Sequence, residues 1–189
     1  MEADWSVEIG AELPCIDCKW DGFVDLRSSH RTIDYVGEAA QHPALREALL
    51  ALNKANSAVF TTKCDTWELD ENDIDTSEFA TTREAARAGF ASYIDILKGH
   101  PATLISFAFH EQWVRDLTAD CRSVDLPHGR VDVVLRSATT NRIHAYGLTL
   151  YAAGCGANQA AAYRSWKAIL AAAVAATIAA AARTQPAGE

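Results

Sequence analysis

The pattern of apolar and polar positions is most informative in the last third of the chain. Residues 131–136 and 142–151 are predicted to form two strands, and the five-residue connector 137–141 contains an asparagine, which favours a hairpin. From Asn158 to Arg183 apolar side chains recur at helical spacing in an alanine-rich segment, and Asn158 suits the N-cap position. We therefore predict a hairpin followed by one long helix.

Similar patterns predict the elements of the first half of the chain. Alternation of apolar and polar residues indicates strands over 5–9, 23–26 and 57–69. Pro43 suits a first helical turn, and the leucines that follow it recur at helical spacing through Asn53. These segments therefore predict three strands and one shorter helix.

The middle of the chain contains a capping motif and an apolar run. Thr81 and Glu84 have the spacing of a capping box, so we predict a helix that starts there and ends before Gly99. The run 102–109 is nearly all apolar, as in a central strand that is covered on both faces. Residues 110–117 are expected to continue this strand as an extended or short helical piece.

Together these elements predict an α+β fold. A mostly antiparallel mixed sheet of about five to seven strands is packed by two long helices and one shorter helix. The 189 residues suit a single domain over residues 1–183, followed by a disordered tail over 184–189. Hydrophobic residues make up 49% of the chain and charged residues 22%, which is ordinary for a globular protein with a full core.

Charge and cysteine content narrow the set of partners and compartments. A net charge of -8 repels nucleic-acid phosphates and anionic lipid, so the sequence predicts neither nucleic acid nor membrane as a partner. The uncharged run between Lys167 and Arg183 is too short and too alanine-rich for a membrane span. The first residues lack the pattern of a signal peptide, and five cysteines, an odd number, favour reduced thiols. We therefore expect a cytoplasmic protein.

Cys15 and Cys18 form a single CxxC motif. Two thiolates at this spacing can share a zinc ion or form a redox pair. A zinc site needs two more ligands, which would have to come from distant residues such as Cys64 or Cys121. The alternative is that both cysteines are plain thiols without a function of their own.

Gly154, Gly156 and Asn158 lie between the last strand and the last helix. Free N–H groups at such a helix start can hold a phosphate or a carboxylate, so these residues are a candidate cofactor or anion site. The segment fails as a dinucleotide fingerprint because Gln159 stands at the third glycine position. The alternative is a tight turn with Asn158 as the N-cap residue.

His110 and Glu111 follow the apolar run, where side chains often emerge into a pocket. A histidine and a carboxylate can perform general acid–base catalysis or bind a metal together with other side chains. The HExxH zinc motif is absent because residue 114 is valine. The alternative is a hydrogen-bonded, buried His110 beside a surface Glu111.

The acidic segment from Asp73 to Glu84 has oxygen-bearing side chains at the spacing of a calcium-binding loop. Glu78 occupies the position where such loops need glycine for a sharp turn. An acidic loop that leads into a capped helix accounts for the same residues, because carboxylates are favourable near a helix N-terminus.

Three functions are compatible with these patterns. The first is a binding or assembly protein without chemistry of its own, homo-oligomeric through the alanine-rich helix or bound to a small-molecule or anionic ligand. The second is a small-molecule enzyme with a pocket near His110, Glu111 and the 154–158 turn. The third is a zinc or thiol module at Cys15 and Cys18. The sequence favours the first, and it identifies no cofactor.

Overall fold

The computed structural model of the protein describes residues 1–18, 20–140 and 143–184. Within these ranges the chain forms six strands and five α-helices. The strands are β1 (Glu2–Glu8), β2 (Ile16–Asp17), β3 (Val59–Leu69), β4 (Ala88–Lys98), β5 (Gly129–Thr140) and β6 (Ile143–Gly156). The helices are α1 (Gly37–Gln41), α2 (Pro43–Leu52), α3 (Pro101–Leu104), α4 (Phe107–Arg122) and α5 (Gln159–Arg183).

The strands form one mixed sheet in the order β1-β5-β6-β4-β3, with β2 also paired to β5. Strands β1 and β2 run parallel to β5, and the other neighbours are antiparallel. This arrangement confirms the predicted α+β fold with a mostly antiparallel mixed sheet. The predicted hairpin is β5–β6, although Asn141 and Arg142 of its connection lie outside the described residues.

Helices α2, α4 and α5 pack on one face of this sheet. Their apolar side chains and those of the strands form one buried core that includes two fully buried tryptophans, Trp113 and Trp166. Both indoles find hydrogen-bond partners, since Trp113 donates to the carbonyl of Thr177 at 3.1 Å and Trp166 to the hydroxyl of Ser92 at 2.9 Å. These bonds fix the orientation of both rings in an otherwise apolar core.

Helix α5 lies directly on strand β6, and two glycines make this contact possible. A Cβ atom at Gly154 would stand 2.3 Å from the backbone nitrogen of Trp166. A Cβ atom at Gly156 would stand 2.6 Å from the backbone nitrogen of Ala162. Because any side chain at these positions would overlap the helix backbone, the glycines set how close the helix can approach the sheet.

The other end of α5 is held by a buried lysine from strand β4. The Lys98 ammonium group donates to the carbonyl of Ala181 at 3.1 Å and to that of Thr184 at 3.4 Å, and it also bonds to the Thr184 hydroxyl. The last carbonyls of a helix carry partial negative charge, so a cation there is favourable. Burial lowers the pKa of Lys98 to about 8. Thr184, assigned to the tail by the sequence, is buried at this contact, and residues 185–189 lie outside the described chain.

Helix α5 is also the one helix in the described chain that is long and apolar enough to cross a membrane. Its most apolar 18-residue window has a mean hydropathy of 1.6, and 50% of that window is buried inside the protein. Helices that cover a sheet have the same composition, because their inner face is part of the core. The packing against β6 therefore accounts for the apolar face of this helix.

The helix predicted from Thr81 to a point before Gly99 is wrong. Residues 88–98 form strand β4, which lies between β3 and β6 in the sheet. A central strand buries both faces, so its apolar residues need not alternate with polar ones. The alanines before Ile94 recur at a spacing that fits a helix, and this led to the wrong prediction. The backbone of this segment pairs with β3 on one side and β6 on the other.

The strand predicted over 102–109 is also wrong. This run contains helix α3 and the first turn of α4, and the Ser106 hydroxyl accepts the N-cap hydrogen bond from the Phe109 N–H. A short apolar run fits a buried strand or a buried helix equally well. The predicted strand 23–26 is likewise wrong, because residues 23–25 have no regular secondary structure and a turn begins at residue 26, and the strand that precedes them is β2.

Replacement of Gly154 tests the contact between α5 and β6. We expect Gly154→Ala to lower the free energy of unfolding by about 2–3 kcal/mol, because the new methyl group overlaps the backbone of α5. Chemical denaturation measures this change. Gly37→Ala is the matched control, since a Cβ atom there meets nothing within 4 Å, and it should change stability by less than about 1 kcal/mol. Equal stabilities of the two variants would contradict this account of the packing.

Candidate functional site

The side of the sheet opposite α2, α4 and α5, here called the open face, carries no long helix in the described chain, and Leu104 of the short helix α3 packs among its apolar residues. After β2, the chain crosses this face from one edge of the sheet to the other. The N–H of Cys18 donates to the carbonyl of Thr139 in β5 at 3.2 Å, and the indole of Trp20 donates to the carbonyl of Thr62 in β3 at 3.0 Å. Beneath the crossing, Ile16 packs with Phe60, Leu97 and other apolar residues in a small second core.

A cavity of about 280 Å³ lies between this crossing segment and the strands. Its wall on the segment side consists of residues 14–17 and Trp20. Its floor consists of side chains from four neighbouring strands, namely Lys63, Tyr93, Asp95, Arg136, Thr149 and Tyr151. The cavity therefore joins a concave shape to a set of charged and aromatic groups, which is the usual composition of a ligand site.

Charged and hydroxyl side chains cross the floor of the cavity in a row. Lys63 of β3 is the register partner of Asp95 of β4, and Asp95 is the register partner of Thr149 of β6. The Thr149 hydroxyl donates to the Asp95 carboxylate at 2.6 Å. Burial raises the pKa of Asp95, while the hydrogen bond from Thr149 and the charges of Arg136 and Lys63 oppose that rise.

Arg136 lies on strand β5 two residues beyond Val134, which is the register partner of Thr149. Its side chain is 12% exposed, and its Nη2 pairs with a carboxylate oxygen of Glu8 at 2.9 Å. The same nitrogen lies 3.4 Å from the Tyr151 hydroxyl. The Nε–H of Arg136 is buried and finds no acceptor among the described residues. An unsatisfied donor on a buried guanidinium is costly, and its presence in a cavity suits a site that receives an acceptor from a ligand.

An aromatic row runs beside the charged one on the same face. The ring centroids of Trp67 and Tyr93 are 6.3 Å apart, and those of Tyr93 and Tyr151 are 6.0 Å apart. Burial, followed by the nearby Asp95 and Asp65 carboxylates, raises the pKa of Tyr93 to about 12. Its hydroxyl is therefore protonated at neutral pH and available as a donor, and the two tyrosine rings offer apolar surface to a planar ligand.

His110 and Glu111 do not line this cavity, and their surroundings are not those of a ligand site. His110 is fully buried on α4, where its ring Nδ1–H donates to the carbonyl of Ser106 at 2.9 Å. Its Nε2 is buried without a partner in the described chain, and burial lowers the pKa of His110 to about 4. Glu111 lies on the surface and pairs with Arg115 at 2.8 Å. The neutral, enclosed imidazole matches the structural alternative that the sequence left open.

Gly154 and Gly156 belong to strand β6 rather than to a turn. The space beside both glycines is filled by the backbone of α5, so it is not open to a phosphate. Asn158 is the N-cap residue of α5, and its side-chain oxygen accepts from the N–H of Ala161 at 3.0 Å. The glycines therefore serve helix packing, and the sequence motif is accounted for without a cofactor.

Cys15 and Cys18 differ in their surroundings. Cys15 is exposed and lines the cavity, with its sulfur 3.6 Å from the Thr139 hydroxyl. Cys18 is buried, and burial raises its pKa, which opposes the thiolate that metal binding or redox chemistry needs. In the part of the chain that the structure describes, no group of three or more His, Cys, Asp or Glu side chains is placed to hold a metal. That includes the acidic segment from Asp73 to Glu84.

The cavity thus contains one residue that the sequence singled out, Cys15, and several that it did not. Tyr93 and Asp95 were missed because their segment was assigned to a helix. Arg136 and Tyr151 lie in strands that were predicted. Their position beside Asp95 and Tyr93 depends on the order of the strands in the sheet, which no local sequence pattern encodes. A polar Thr149 in the middle of an apolar strand was the available signal for a buried polar contact on this face.

The buried imidazole of His110 predicts a specific loss of stability in acid. The unfolded chain protonates His110 below about pH 6.5, whereas the folded chain does so only near pH 4, so protons favour the unfolded state between these values. Stability contributed by the neutral imidazole is complete above pH 6.5 and is lost as pH falls toward 4, by about 3 kcal/mol at most.

His110→Asn keeps a donor for the Ser106 carbonyl but has no group that titrates at this position. Between pH 7 and pH 4 we expect its free energy of unfolding to fall by less than that of the wild type, with a difference of up to about 3 kcal/mol. Urea denaturation at a series of pH values measures the difference. Parallel pH profiles for the two proteins would contradict the neutral, buried state of His110.

Comparison with known proteins gives no further guide to the site, because the chain matches no protein-family model, no curated protein and no solved structure.

Proposed function

We propose that the protein binds a small molecule in the cavity on the open face and performs no chemistry of its own. The observation that carries the proposal is the pair of charged groups on the cavity floor, Asp95 and Arg136, held half-buried beside the rings of Tyr93 and Tyr151. Partial burial of charge costs free energy, and a ligand that supplies opposite charges would offset that cost.

Binding accounts for this site more simply than catalysis does. A general base must lie within hydrogen-bond reach of the substrate. The imidazole of His110 is fully buried in the helix layer and cannot reach a substrate. The cavity floor instead combines a hydrogen-bonded carboxylate, a guanidinium and two phenol rings, which are groups that orient a ligand. The cavity volume of about 280 Å³ favours a compact metabolite rather than a macromolecule.

The homo-oligomeric state and the cytoplasmic location stay predictions. Support for self-association comes from an apolar groove of about 280 Å³ between α2 and α5, lined largely by alanines. Small side chains permit close approach of a second helix. Light scattering on the purified protein decides this point independently of ligand binding.

The exposed thiol of Cys15 provides a direct assay for ligands. Of the five cysteines, Cys15 alone is exposed, and it lines the cavity. We expect a ligand from a panel of amino acids, organic acids, nucleosides and sugars to slow alkylation of Cys15 by a maleimide and to raise the melting temperature. Tyr151→Ala should weaken that ligand about tenfold by removing one aromatic wall.

Trp67→Ala is the matched control for this experiment. Trp67 lies in the same aromatic row as Tyr151 but outside the cavity lining, so its removal should leave protection of Cys15 unchanged. The proposal fails if no compound in the panel protects Cys15 or if Tyr151→Ala and Trp67→Ala weaken binding equally.

A further inference from the structure

The charges that line the cavity are balanced. Two cationic side chains, Lys63 and Arg136, and two anionic ones, Asp17 and Asp95, contribute to its lining. A ligand with a single negative charge would be repelled by the carboxylates. A ligand with a single positive charge would be repelled by the ammonium and guanidinium groups. A ligand of zero net charge that carries both signs avoids either repulsion.

Asp95 and Arg136 lie on strands that are not adjacent. Asp95 on β4 and Arg136 on β5 are two strands apart, with β6 between them, which corresponds to about 10 Å between the strand axes. Arg136 pairs with Glu8 on its far side, and Asp95 accepts from Thr149 on the floor. Both groups therefore border the cavity without being joined to each other, and each can receive one end of a dipolar ligand.

The remaining walls select for an aromatic body. Tyr93 and Tyr151 stand with their rings tilted by 46°, and Trp20 faces them from the crossing segment. Tilted rings about 6 Å apart provide edges and faces on which a third ring can pack. The cavity of about 280 Å³ is slightly smaller than pockets for drug-sized molecules, which begin near about 300 Å³, so the ligand is small.

We infer that the ligand is a free aromatic amino acid, with its carboxylate toward Arg136, its ammonium toward Asp95 and its ring against Tyr93, Tyr151 and Trp20. This inference rests on the proposed binding function and adds the chemical class of the ligand. It also accounts for the buried Nε–H of Arg136, which a rotation of the guanidinium would bring to a carboxylate oxygen.

Three probes with the same phenylethyl skeleton separate the contributions of the two charges. L-phenylalanine carries both, 3-phenylpropionate lacks the ammonium, and phenethylamine lacks the carboxylate. Isothermal titration calorimetry with the wild-type protein should show L-phenylalanine binding at least about tenfold more tightly than either analogue, because each lost charge removes one charge-assisted hydrogen bond, either to the unsatisfied Nε–H of Arg136 or to the Asp95 carboxylate.

Two substitutions assign the charges to residues. Asp95→Asn should weaken L-phenylalanine about tenfold without weakening 3-phenylpropionate, and Arg136→Gln should weaken L-phenylalanine about tenfold without weakening phenethylamine. Asp65→Asn is the matched control. Asp65 is the register partner of Tyr93, two residues from Lys63 on the same face, and it lies outside the cavity lining. Circular dichroism checks that each variant is folded. The comparison of the three probes on the wild-type protein tests the inference even if a variant fails to fold.

The outcomes separate this inference from the proposed function. Equal affinities for L-phenylalanine and one analogue, or no binding of L-phenylalanine, would overturn the amino-acid assignment. If another compound of the panel still protects Cys15 under those conditions, the binding function stands. If nothing protects Cys15, both the function and the ligand class fall.

Discussion

The close contact between helix α5 and strand β6 is the constraint on which the rest of the structure depends. Gly154 and Gly156 let the helix backbone rest on the sheet, and Lys98 holds the far end of the helix by its terminal carbonyls. With α5 fixed at both ends, α2 and α4 pack beside it and bury the same face of the sheet. The apolar interior of the protein is thereby complete on one side.

Completion of the core on one side leaves the open face free to carry polar groups. Tyr93 and Asp95 alternate along β4 with core residues such as Ile94, so the period of a strand delivers them to the opposite face. The crossing segment with Trp20 then covers one end of this face and encloses the cavity. The cavity thus follows from the sheet order and from a short stretch of chain that is not part of the core.

Much of the fold follows from local sequence signals, and most of the site does not. The hairpin β5–β6, the helix capped by Asn158 and the helix beginning at Pro43 all show strong periodicity with their own start signals. Strand β4 was missed because most residues on both its faces are buried, so the alternation that marks a strand is confined to the stretch around Tyr93 and Asp95. The start of α4 at Ser106 was missed because it lies inside an apolar run that fits a buried strand and a buried helix equally well.

The site could not be derived in the same way, because its members come from distant positions. The register that sets Lys63, Asp95 and Thr149 side by side is a property of tertiary pairing. Motifs that did attract notice, such as Gly154 with Gly156, reflect packing, since glycine is needed wherever a helix backbone touches a strand. A glycine pair before a helix is therefore compatible with either a ligand or a close helix contact, and the structure here shows the contact.

The central claim is that the open face, and not the helix layer, receives the ligand. Two-dimensional amide NMR spectra recorded during titration with the compound panel test this claim most directly. The account predicts that the largest shift changes lie in residues 15–17 and in the strand segments around Asp95, Arg136 and Tyr151. Largest changes around His110 or at the start of α5, or no changes with any compound, would contradict it.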